Sequence, residues 1–339
     1  MMSIVRGTLC GLLVLGLAGC YPGPATQSLM TLWRQFADSG CQGSPPAERP
    51  ECPASNCSGQ TPCASGPIRV MTYNVMCSVC MDDEHDNWFA RVPHLRDTMA
   101  RYAPDLMGLQ ELSTAFSLAD VLPADGAYGA LTFAAGCFSY GDSTILYRKS
   151  RFEVLDSGRF WLGVLPCHTS LPGWRPSMPR YLYWARMLEK DTGFEFLFIC
   201  SHFDAASINR GQSAHVVTEW LAPIVDKIPI VFVGDFNSEP NSESYATLKG
   251  GNGAPMAFEN VYDHAAQRTV ARNTGEGDLD VTGDPEYAAR VKIIDHILFA
   301  GPIDVAVSGW YRDTYTYGPN AFPASDHFPI IADIQMTLK

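Results

Sequence analysis

The stretch IPIVFVGDFN, residues 228–237, predicts both the fold class and the position of a site. Its first six residues are apolar and rich in β-branched side chains, which is typical of a central strand covered on both faces. The strand ends at Gly234, and Asp235 and Asn237 follow without a polar transition. A carboxylate and an amide at this point can be held rigidly at the rim of a sheet, although an ordinary turn explains the same pair.

Similar apolar runs recur along the chain from Ile68 onward, and helical segments separate several of them. Two helices are predicted, one over residues 88–102 and one over about residues 208–225. The mixture of strands and helices over about 270 residues, without an internal repeat, indicates one α/β domain.

Length and composition indicate a folded protein with a sizeable core. The chain has 339 residues, of which 46% are hydrophobic and 18% are charged, and it can bury the core of one large α/β domain or two smaller ones. Its formal net charge of -12 argues against strong, sequence-independent binding of nucleic acid, since phosphate contacts depend on Lys and Arg. A local basic patch or a bound divalent cation could still admit a phosphorylated substrate. We expect the protein to act as a monomer.

The N-terminus resembles that of an exported lipoprotein. Arg6 precedes an apolar run, residues 9–18, which has the layout of a secretory signal and is shorter than the roughly 20 residues of a membrane-spanning helix. The run leads into Leu-Ala-Gly-Cys, which ends at Cys20 and resembles the bacterial lipobox, where the cysteine is acylated. Residues 1–19 are therefore predicted to be removed and Cys20 to carry lipid; an ordinary signal peptide or a short buried helix is the alternative. Tyr21 favours, by the same resemblance, attachment to the outer membrane.

Residues 20–67 are predicted to form a tether. From residue 37 to residue 67 the chain has no Val, Ile, Leu, Met or aromatic residue, so this stretch cannot build a core. Export favours disulfides, and eight cysteines lie in the tether or in polar loops: Cys41, Cys52, Cys57, Cys63, Cys77, Cys80, Cys137 and Cys167. Cys200 lies in an apolar run and is predicted to be a buried free thiol. A zinc or redox site at Cys77 and Cys80 is an alternative that the lack of a second CxxC pair disfavours.

Carboxylate, amide and imidazole side chains mark the ends of several apolar runs. They are Asn74, Glu111, His202, Asp235, Asn237, Asp295, Asp326 and His327. Each alone has an ordinary explanation, such as a turn former, a cap or a solvated strand end. Together they indicate one shared site, because all of them fall where a rigid scaffold can hold them.

The ordered set of motifs resembles the endonuclease/exonuclease/phosphatase superfamily of metal-dependent phosphoesterases. The motifs are MTYNV, GLQEL, ICSHFD, VGDFN, IIDHILF and SDHFP. The similarity runs from about Ile68 to Met336, and DNWFARVPHLRDTMARYAPDLMGLQEL, FWLGVLP, PRYLYWARM and GDFNSEPNSESYATL extend it to a bacterial secreted branch. The resemblance implies a four-layer α/β sandwich, in which helices flank two packed mixed β-sheets. It also implies that residues 68–339 form the catalytic domain, with the site at one end of the sheets.

The resemblance further implies a divalent cation, Mg²⁺ first, with Mn²⁺ or Ca²⁺ as alternatives. Mg²⁺ prefers carboxylate and amide oxygens, so Glu111 is the leading candidate ligand, and Asn74 and Asp326 are direct or water-mediated partners. The cation would offset charge on a phosphoester while water attacks the phosphorus.

The remaining polar residues suit proton transfer and phosphate binding. His327 paired with Asp295 would form a hydrogen-bonded base. Asp235 and Asn237 would hold the attacking water and a phosphoryl oxygen, and Asp235 is an alternative base, a choice that the sequence leaves open. His202, as a cation, could stabilise the pentacoordinate phosphorus or protonate the leaving oxygen.

The sequence constrains the substrate class less than it constrains the type of reaction. Arg186 and Arg210 are candidate phosphate ligands, although strand and helix arginines are often solvated or paired. By resemblance, His202 and Met76 disfavour the abasic-site endonucleases, and the acidic residues within residues 77–86 would repel a long polyanion. The favoured function is a lipid-tethered envelope hydrolase of a small or membrane-associated phosphate ester. A secreted deoxyribonuclease or ribonuclease is one alternative, and a non-catalytic binding module on the same fold is another, which the complete residue set disfavours.

Overall fold

The computed structural model describes residues 63–112, 115–123, 125–132, 141–163, 174, 180–271, 279–280 and 293–339. Within these ranges the chain forms sixteen strands and five helices. The helices are α1 (Trp88–Tyr102), α2 (Ala115–Val121), α3 (Ser207–Leu221), α4 (Glu243–Leu248) and α5 (Val261–His264). The strands are β1 (Ile68–Asn74), β2 (Leu106–Leu112), β3 (Tyr128–Leu131), β4 (Gly141–Arg148), β5 (Phe152–Trp161), β6 (Tyr181–Glu189), β7 (Glu195–His202), β8 (Ile230–Asp235), β9 (Glu259–Asn260), β10 (Arg268–Ala271), β11 (Leu279–Asp280), β12 (Asp295–Ala300), β13 (Ile303–Asp313), β14 (Thr316–Tyr317), β15 (Phe322–Pro323) and β16 (Ile330–Leu338).

Most of the strands form two large sheets. The first has eight strands in the order β11-β10-β13-β16-β1-β2-β4-β3, and the second has six in the order β5-β6-β7-β8-β12-β9. β14 and β15 form a separate two-stranded sheet. Both large sheets are mixed, because the pairs β1/β2, β7/β8 and β10/β13 are parallel and the other described pairs are antiparallel.

The two sheets pack face to face, and helices cover their outer faces. Side chains alternate along each strand, so Phe196, Phe198 and Cys200 of β7 point into the core between the sheets, while Leu197 and Ile199 point into the core under α3. A third core joins the first sheet to α1. The central strands are almost purely apolar because both of their faces are buried. The predicted four-layer α/β sandwich is confirmed.

Both predicted helices are present. α1 has the predicted bounds and begins after Asn87, whose side chain accepts a hydrogen bond from the Ala90 N–H as N-cap residues do. α3 ends at Leu221 rather than near Val225, because Pro223 has no N–H with which to continue the helical hydrogen bonds.

The described chain begins inside the predicted tether, at Cys63. Ala64 forms a β-bridge with Thr337 on β16, and Cys63 is buried and disulfide-bonded. Residues 63–67 therefore pack on the sheet, and the folded domain starts before the predicted boundary at Ile68. The physical reason is that β16 extends beyond the start of β1 and offers its edge to these residues.

Two cysteine predictions are confirmed. Cys77 and Cys80 form a disulfide, so this pair offers no thiolate to zinc, and Cys200 is a buried free thiol. The other predicted disulfide cysteines lie outside the described residues; they are Cys41, Cys52, Cys57, Cys137 and Cys167. The predicted signal segment and Cys20 also lie outside them. Among the helices of the described ranges, none is long and apolar enough to cross a membrane.

Candidate active site

The strand register brings His202, Asp235 and Asp295 to one edge of the second sheet. His202 ends β7, Asp235 ends β8 and Asp295 begins β12, and Asp235 is in register with both neighbours. All three side chains are buried, and His202 Nε2 lies 3.2 Å from Asp235 Oδ2. Parallel strands end at the same edge of a sheet and an antiparallel neighbour begins there, so separate sequence positions become direct contacts.

The first sheet contributes Asn74 and Glu111 from the ends of its central parallel strands, β1 and β2. Asn74 Nδ2 donates to Glu111 Oε1 at 3.0 Å and to Asp235 Oδ2 at 3.1 Å, and the second of these hydrogen bonds joins the two sheets. Glu111 Oε2 accepts a hydrogen bond from the Cys77 backbone N–H at 2.9 Å. Each carboxylate oxygen keeps a further lone pair for a cation.

His327 and Asp326 lie in the segment before β16. His327 Nδ1 lies 2.9 Å from Asp295 Oδ2, and its Nε2 lies 3.6 Å from Asp235 Oδ2. Asp326 is exposed, and its Oδ1 accepts a hydrogen bond from the Ser325 hydroxyl at 3.2 Å. The structure therefore brings the predicted His327 and Asp295 into contact and places Asp326 at the solvent side of the same site.

Three residues at the site have left-handed backbone conformations: Met76, Glu111 and Asn237, with φ of 53°, 67° and 48°. Such conformations cost on the order of 1–3 kcal/mol each in non-glycine residues and cluster at functional sites. Neighbouring side chains hold two of them in place. The Met76 N–H donates to Asn74 Oδ1 at 3.0 Å, and the Asn237 N–H donates to Asp235 Oδ1 at 2.8 Å.

Two residues of the site, the buried Asp142 and the partly buried Arg180, are absent from the sequence prediction. Asp142 lies at the start of β4, and Arg180 directly precedes β6. His202 Nδ1 lies 3.1 Å from Asp142 Oδ1 and 2.6 Å from Arg180 Nη1, and Arg180 pairs with Asp142 at 3.0 Å. Both residues precede apolar runs, whereas most predicted site residues follow them. The amino ends of antiparallel strands are therefore where a sequence search would have found them.

Burial and neighbouring charges determine the ionisation of His202. Burial opposes ionisation of Asp142, but Arg180 and His202 hold the pKa of Asp142 at about 2. Burial and the Arg180 guanidinium lower the pKa of His202, but the Asp142 and Asp235 carboxylates outweigh them and raise it to about 9. The two ring nitrogens of His202 face two carboxylates, which favours the imidazolium form; the 2.6 Å approach of Arg180 Nη1 to Nδ1 opposes it, because a guanidinium can only donate.

The same competition acts on His327 and its partners. Burial lowers the pKa of His327, but Asp295 and Asp235 raise it overall to about 10. Burial raises the pKa of Asp295. Burial also opposes ionisation of Asp235, yet His202 and His327 hold the pKa of that carboxyl well below its usual range. Asp235 is thus an ionised carboxylate between two imidazolium rings.

A pocket of about 350 Å³ opens beside Asn237. Its lining consists of Arg210, Asn237, Glu239, Asn241, Ser242 and Ile294. Asn237 Nδ2 donates to the Phe203 carbonyl at 2.9 Å and lies 3.4 Å from His202 Nε2, so the pocket and the buried site share a wall. The structure therefore brings Arg210 to the rim of the site.

Arg186, in contrast, lies away from the site, which corrects its predicted contact with phosphate. In the register of β6 and β7 it is opposite Leu197, and its guanidinium pairs with Glu195 at 2.6 Å. His202 lies five residues farther along β7, which is roughly 16 Å at the usual rise of a strand. Arg186 therefore has a structural role, as the partner of Glu195 in an ion pair at the other end of the sheet.

The donors at the site fit a hard divalent cation. Glu111 and Asp326 offer carboxylate oxygens, which Mg²⁺ prefers. Asn74 turns its Nδ2 toward Glu111, and its amide oxygen accepts from the Met76 N–H, so Asn74 orients this carboxylate rather than binding the metal directly, which corrects the alternative of a direct ligand. Asp235, Asp295 and His327 form a second group, whose potential ligand atoms lie within 4.8 Å of one another. Asp295 Oδ1 is buried and has no hydrogen-bond partner among the described residues, which suits an acceptor that faces a cation or a water molecule.

Comparisons with known proteins agree with this geometry. The model of the Endonuclease/Exonuclease/phosphatase family matches residues 71–327. Rat nocturnin is 25% identical over 316 residues, which are 81% of this chain and 67% of nocturnin. The crystal structure of an endonuclease/exonuclease/phosphatase from Bacteroides vulgatus has a TM-score of 0.65 and 26% identity, and the match covers 80% of this chain and 99% of that one.

A third relative has a stated activity. The mannosyl-6-phosphatase of Bacteroides thetaiotaomicron has a TM-score of 0.64 and 25% identity, and the match covers 79% of this chain and 99% of that one. The family match spans well over half of the chain, and the fold and the residues at the strand ends agree with it. The chain therefore belongs to the endonuclease/exonuclease/phosphatase family and is a metal-dependent phosphoesterase.

Proposed function

We propose that this phosphoesterase hydrolyses a small phosphate ester whose alcohol carries several hydroxyl groups, such as a sugar or polyol phosphate. The pocket beside Asn237 carries the proposal, because its described lining offers amide, hydroxyl, carboxylate and guanidinium groups and one apolar side chain, Ile294. Such a set of donors and acceptors suits hydroxyl groups, whereas a lipid tail needs an apolar surface. The similarity to a mannosyl-6-phosphatase supports the same substrate class.

Acidic residues beside the candidate metal ligands also support a small substrate. Asp82, Asp83 and Glu84 are exposed on the segment that follows the Cys77–Cys80 disulfide. The formal net charge of the chain is -12. Negative charge on this segment repels a polyanion such as DNA, whereas a single phosphate group can be neutralised by a cation and two imidazolium rings.

The residues of the first sheet would hold the metal. When bound by Glu111 and Asp326, Mg²⁺ would offset the charge of the phosphoryl oxygens as water attacks the phosphorus. Glu111 is already oriented for this role by the hydrogen bonds from Asn74 and from the Cys77 N–H.

The residues of the second sheet would move the proton and bind phosphate. Asp235 is ionised and orients the attacking water by accepting a hydrogen bond from it; because His202 and His327 hold its pKa well below the usual range, it is a weak base. Asn237 Nδ2 donates one hydrogen to the Phe203 carbonyl and keeps the other for a phosphoryl oxygen, and the His202 imidazolium, whose Nε2 lies 3.4 Å away, stabilises negative charge there through its own charge. His327 is held as a cation by Asp295, so we assign to His327 the stabilisation of negative charge or protonation of the leaving alcohol.

A substrate panel tests the proposal. Rates are measured with p-nitrophenyl phosphate, bis-p-nitrophenyl phosphate, a hexose 6-phosphate, plasmid DNA and sphingomyelin, each with Mg²⁺ and with EDTA. We expect Mg²⁺-dependent release of phosphate, fastest from the hexose phosphate, and loss of that activity in Glu111→Ala and His327→Ala. Faster cleavage of DNA would favour the nuclease, faster cleavage of sphingomyelin would favour a lipid substrate, and unchanged rates in both variants on every substrate would refute the catalytic assignment.

The two arginines provide a matched pair within the same assay. Arg210→Ala removes a cation from the pocket, so KM for the hexose phosphate is expected to rise, while Arg186→Ala, which breaks the ion pair with Glu195, is expected to leave KM unchanged. Equal KM values in the two variants would remove Arg210 from the binding site.

The location of the enzyme is a separate proposal. We propose that lipid on Cys20 tethers the protein to the bacterial outer membrane, where its substrate would be a phosphate ester of the envelope. The apolar run of residues 9–18 and the Leu-Ala-Gly-Cys sequence support this. Cys20→Ser is expected to move the protein from the membrane fraction to the soluble fraction, and continued association with the membrane would refute the anchor.

A further inference from the structure

The turn after β1 is closed by the Cys77–Cys80 disulfide and contacts the leading candidate metal ligand, Glu111. The Cys77 backbone N–H donates to Glu111 Oε2 at 2.9 Å, and Asn74 Nδ2 donates to Oε1 at 3.0 Å. Both sulfur atoms lie within 4.8 Å of a Glu111 carboxylate oxygen. The direction of this carboxylate therefore depends on where the turn holds the Cys77 amide.

A buried cation anchors the inner half of the turn. The Arg91 side chain is fully buried, and its guanidinium donates to the carbonyl groups of Val75, Met76 and Cys77 at 2.9, 3.0 and 3.1 Å. Met76 has a left-handed backbone, with φ of 53°, which this anchor must hold against relaxation. The carbonyl groups of the inner half are thus anchored from inside the protein.

The outer half of the turn has no comparable anchor in the described structure. Val79 and Met81 are each 80% exposed, and the Cys80 N–H donates to the Cys77 carbonyl at 3.1 Å. The disulfide is the covalent link that joins this outer half to Cys77. It spans a sequence separation of 3, and a bond that closes so short a loop removes little entropy from the unfolded chain. Its effect is therefore on the local position of the turn rather than on overall stability.

We propose that the Cys77–Cys80 disulfide positions Glu111 for the divalent cation, so that metal affinity depends on the oxidation state of this pair. The inference rests on the proposed role of Glu111 as a metal ligand. Reduction by a dithiol breaks the S–S bond, places a proton on each sulfur and converts the dithiol into its own disulfide. Cys77 and Cys80 are partly exposed, so a reductant can reach them. The released turn then relies on the Arg91 hydrogen bonds to hold its N–H near Glu111 Oε2, and the order that the disulfide supplied must be restored when the metal binds.

Calorimetric titration with Mg²⁺ alone tests this role without a substrate. The Cys77→Ser/Cys80→Ser double variant is expected to bind Mg²⁺ at least about tenfold more weakly than the wild type, as is usual when a partner of a metal ligand is lost. Its melting temperature in EDTA is expected to stay close to that of the wild type, and saturating Mg²⁺ is expected to restore most of kcat. Val79→Ser changes the same turn but keeps the disulfide, so it is the matched control and is expected to bind like the wild type.

Equal Mg²⁺ affinity in the double variant and the wild type would overturn the inference. Glu111→Ala separates it from the metal site itself: if Glu111→Ala loses Mg²⁺ binding and the double variant does not, the positioning role alone fails. If Glu111→Ala binds Mg²⁺ normally, the proposed metal site fails. If the double variant does not fold, the wild type is reduced with dithiothreitol, freed of reductant under argon and titrated, with mass spectrometry confirming thiols at Cys77 and Cys80. Unchanged affinity in that sample would also overturn the inference.

Discussion

Replacing Asp295 by Asn tests whether the buried carboxylate beside His327 serves the reaction rather than the fold. Asp295 Oδ2 lies 2.9 Å from His327 Nδ1, and a hydrogen bond to a charged group contributes roughly 1.5–3 kcal/mol. Because about 1.4 kcal/mol in an activation barrier changes a rate tenfold, loss of that amount at the transition state lowers kcat about 10- to 150-fold. The amide also no longer fixes the protonation of the imidazole.

The same substitution is expected to spare the stability of the protein. Burial raises the pKa of Asp295, so the folded state disfavours its ionised form. Stability is then present at low pH and is lost as the pH rises from the unfolded pKa through the folded pKa. At neutral pH the substitution removes the negative charge of Asp295, which lies directly opposite Asp235 on the neighbouring strand. Loss of the ion pair with His327 opposes the gain from this removal, so the free energy of unfolding in EDTA is expected to stay within about 1 kcal/mol of the wild-type value.

The assay combines kcat and KM for p-nitrophenyl phosphate at saturating Mg²⁺ with urea unfolding in EDTA. Asp304→Asn is the control, since it removes an exposed carboxylate that pairs with Lys339, and it is expected to match the wild type in both measurements. A kcat of Asp295→Asn within roughly threefold of wild type would refute the reasoning. A loss of kcat in proportion to a loss of folded protein would refute it as well.

Two further predictions concern charge and packing. Burial lowers the pKa of His202, and Asp142 is the carboxylate that raises it most. Asp142→Asn is therefore expected to lower this pKa from about 9 and to move the alkaline limb of the kcat/KM profile to lower pH. An unmoved limb would show that the imidazolium form of His202 is not required. At Gly108 a Cβ atom would lie 2.3 Å from Val233 Cγ2, so Gly108→Ala is expected to reduce the free energy of unfolding by about 1–3 kcal/mol. Gly211→Ala is the control, because a Cβ there meets no atom within 4 Å and Ala is favoured over Gly in a helix. Equal effects of the two substitutions in urea unfolding would contradict the close approach at Gly108.

Much of the architecture could be predicted because the central strands carry their burial in their composition. The run that ends at Asp235 is apolar on both faces, and in the structure one face meets the opposite sheet while the other meets the helices. Placing Asn237 and His202 at its end required only that parallel strands finish at the same edge. The same rule placed Asn74 and Glu111 together.

The rest of the site depends on pairings that the sequence does not reveal. Arg180 reaches His202 because β6 runs antiparallel to β7 and begins at the same edge, while Asp142 reaches it from β4 of the opposite sheet. Strand order and sheet packing are not visible in a local pattern. Arg186 was misplaced for the same reason, since the register of β6 against β7 sets its distance from His202. The ionisation of Asp235 likewise follows from two rings that approach it from distant parts of the chain.

The hydrogen bond from Asn74 to Asp235 has a consequence for how activity can change. It ties the half of the site that would hold the cation to the half that would hold the phosphate, and these halves belong to different sheets. Their separation is therefore set by the layer of side chains between the sheets, where Gly108 faces Val233 and Cys200. A substitution in that layer would shift one half against the other and retune catalysis without altering a single reacting group. Variation in the interior is in this sense a second route by which selection can adjust the enzyme.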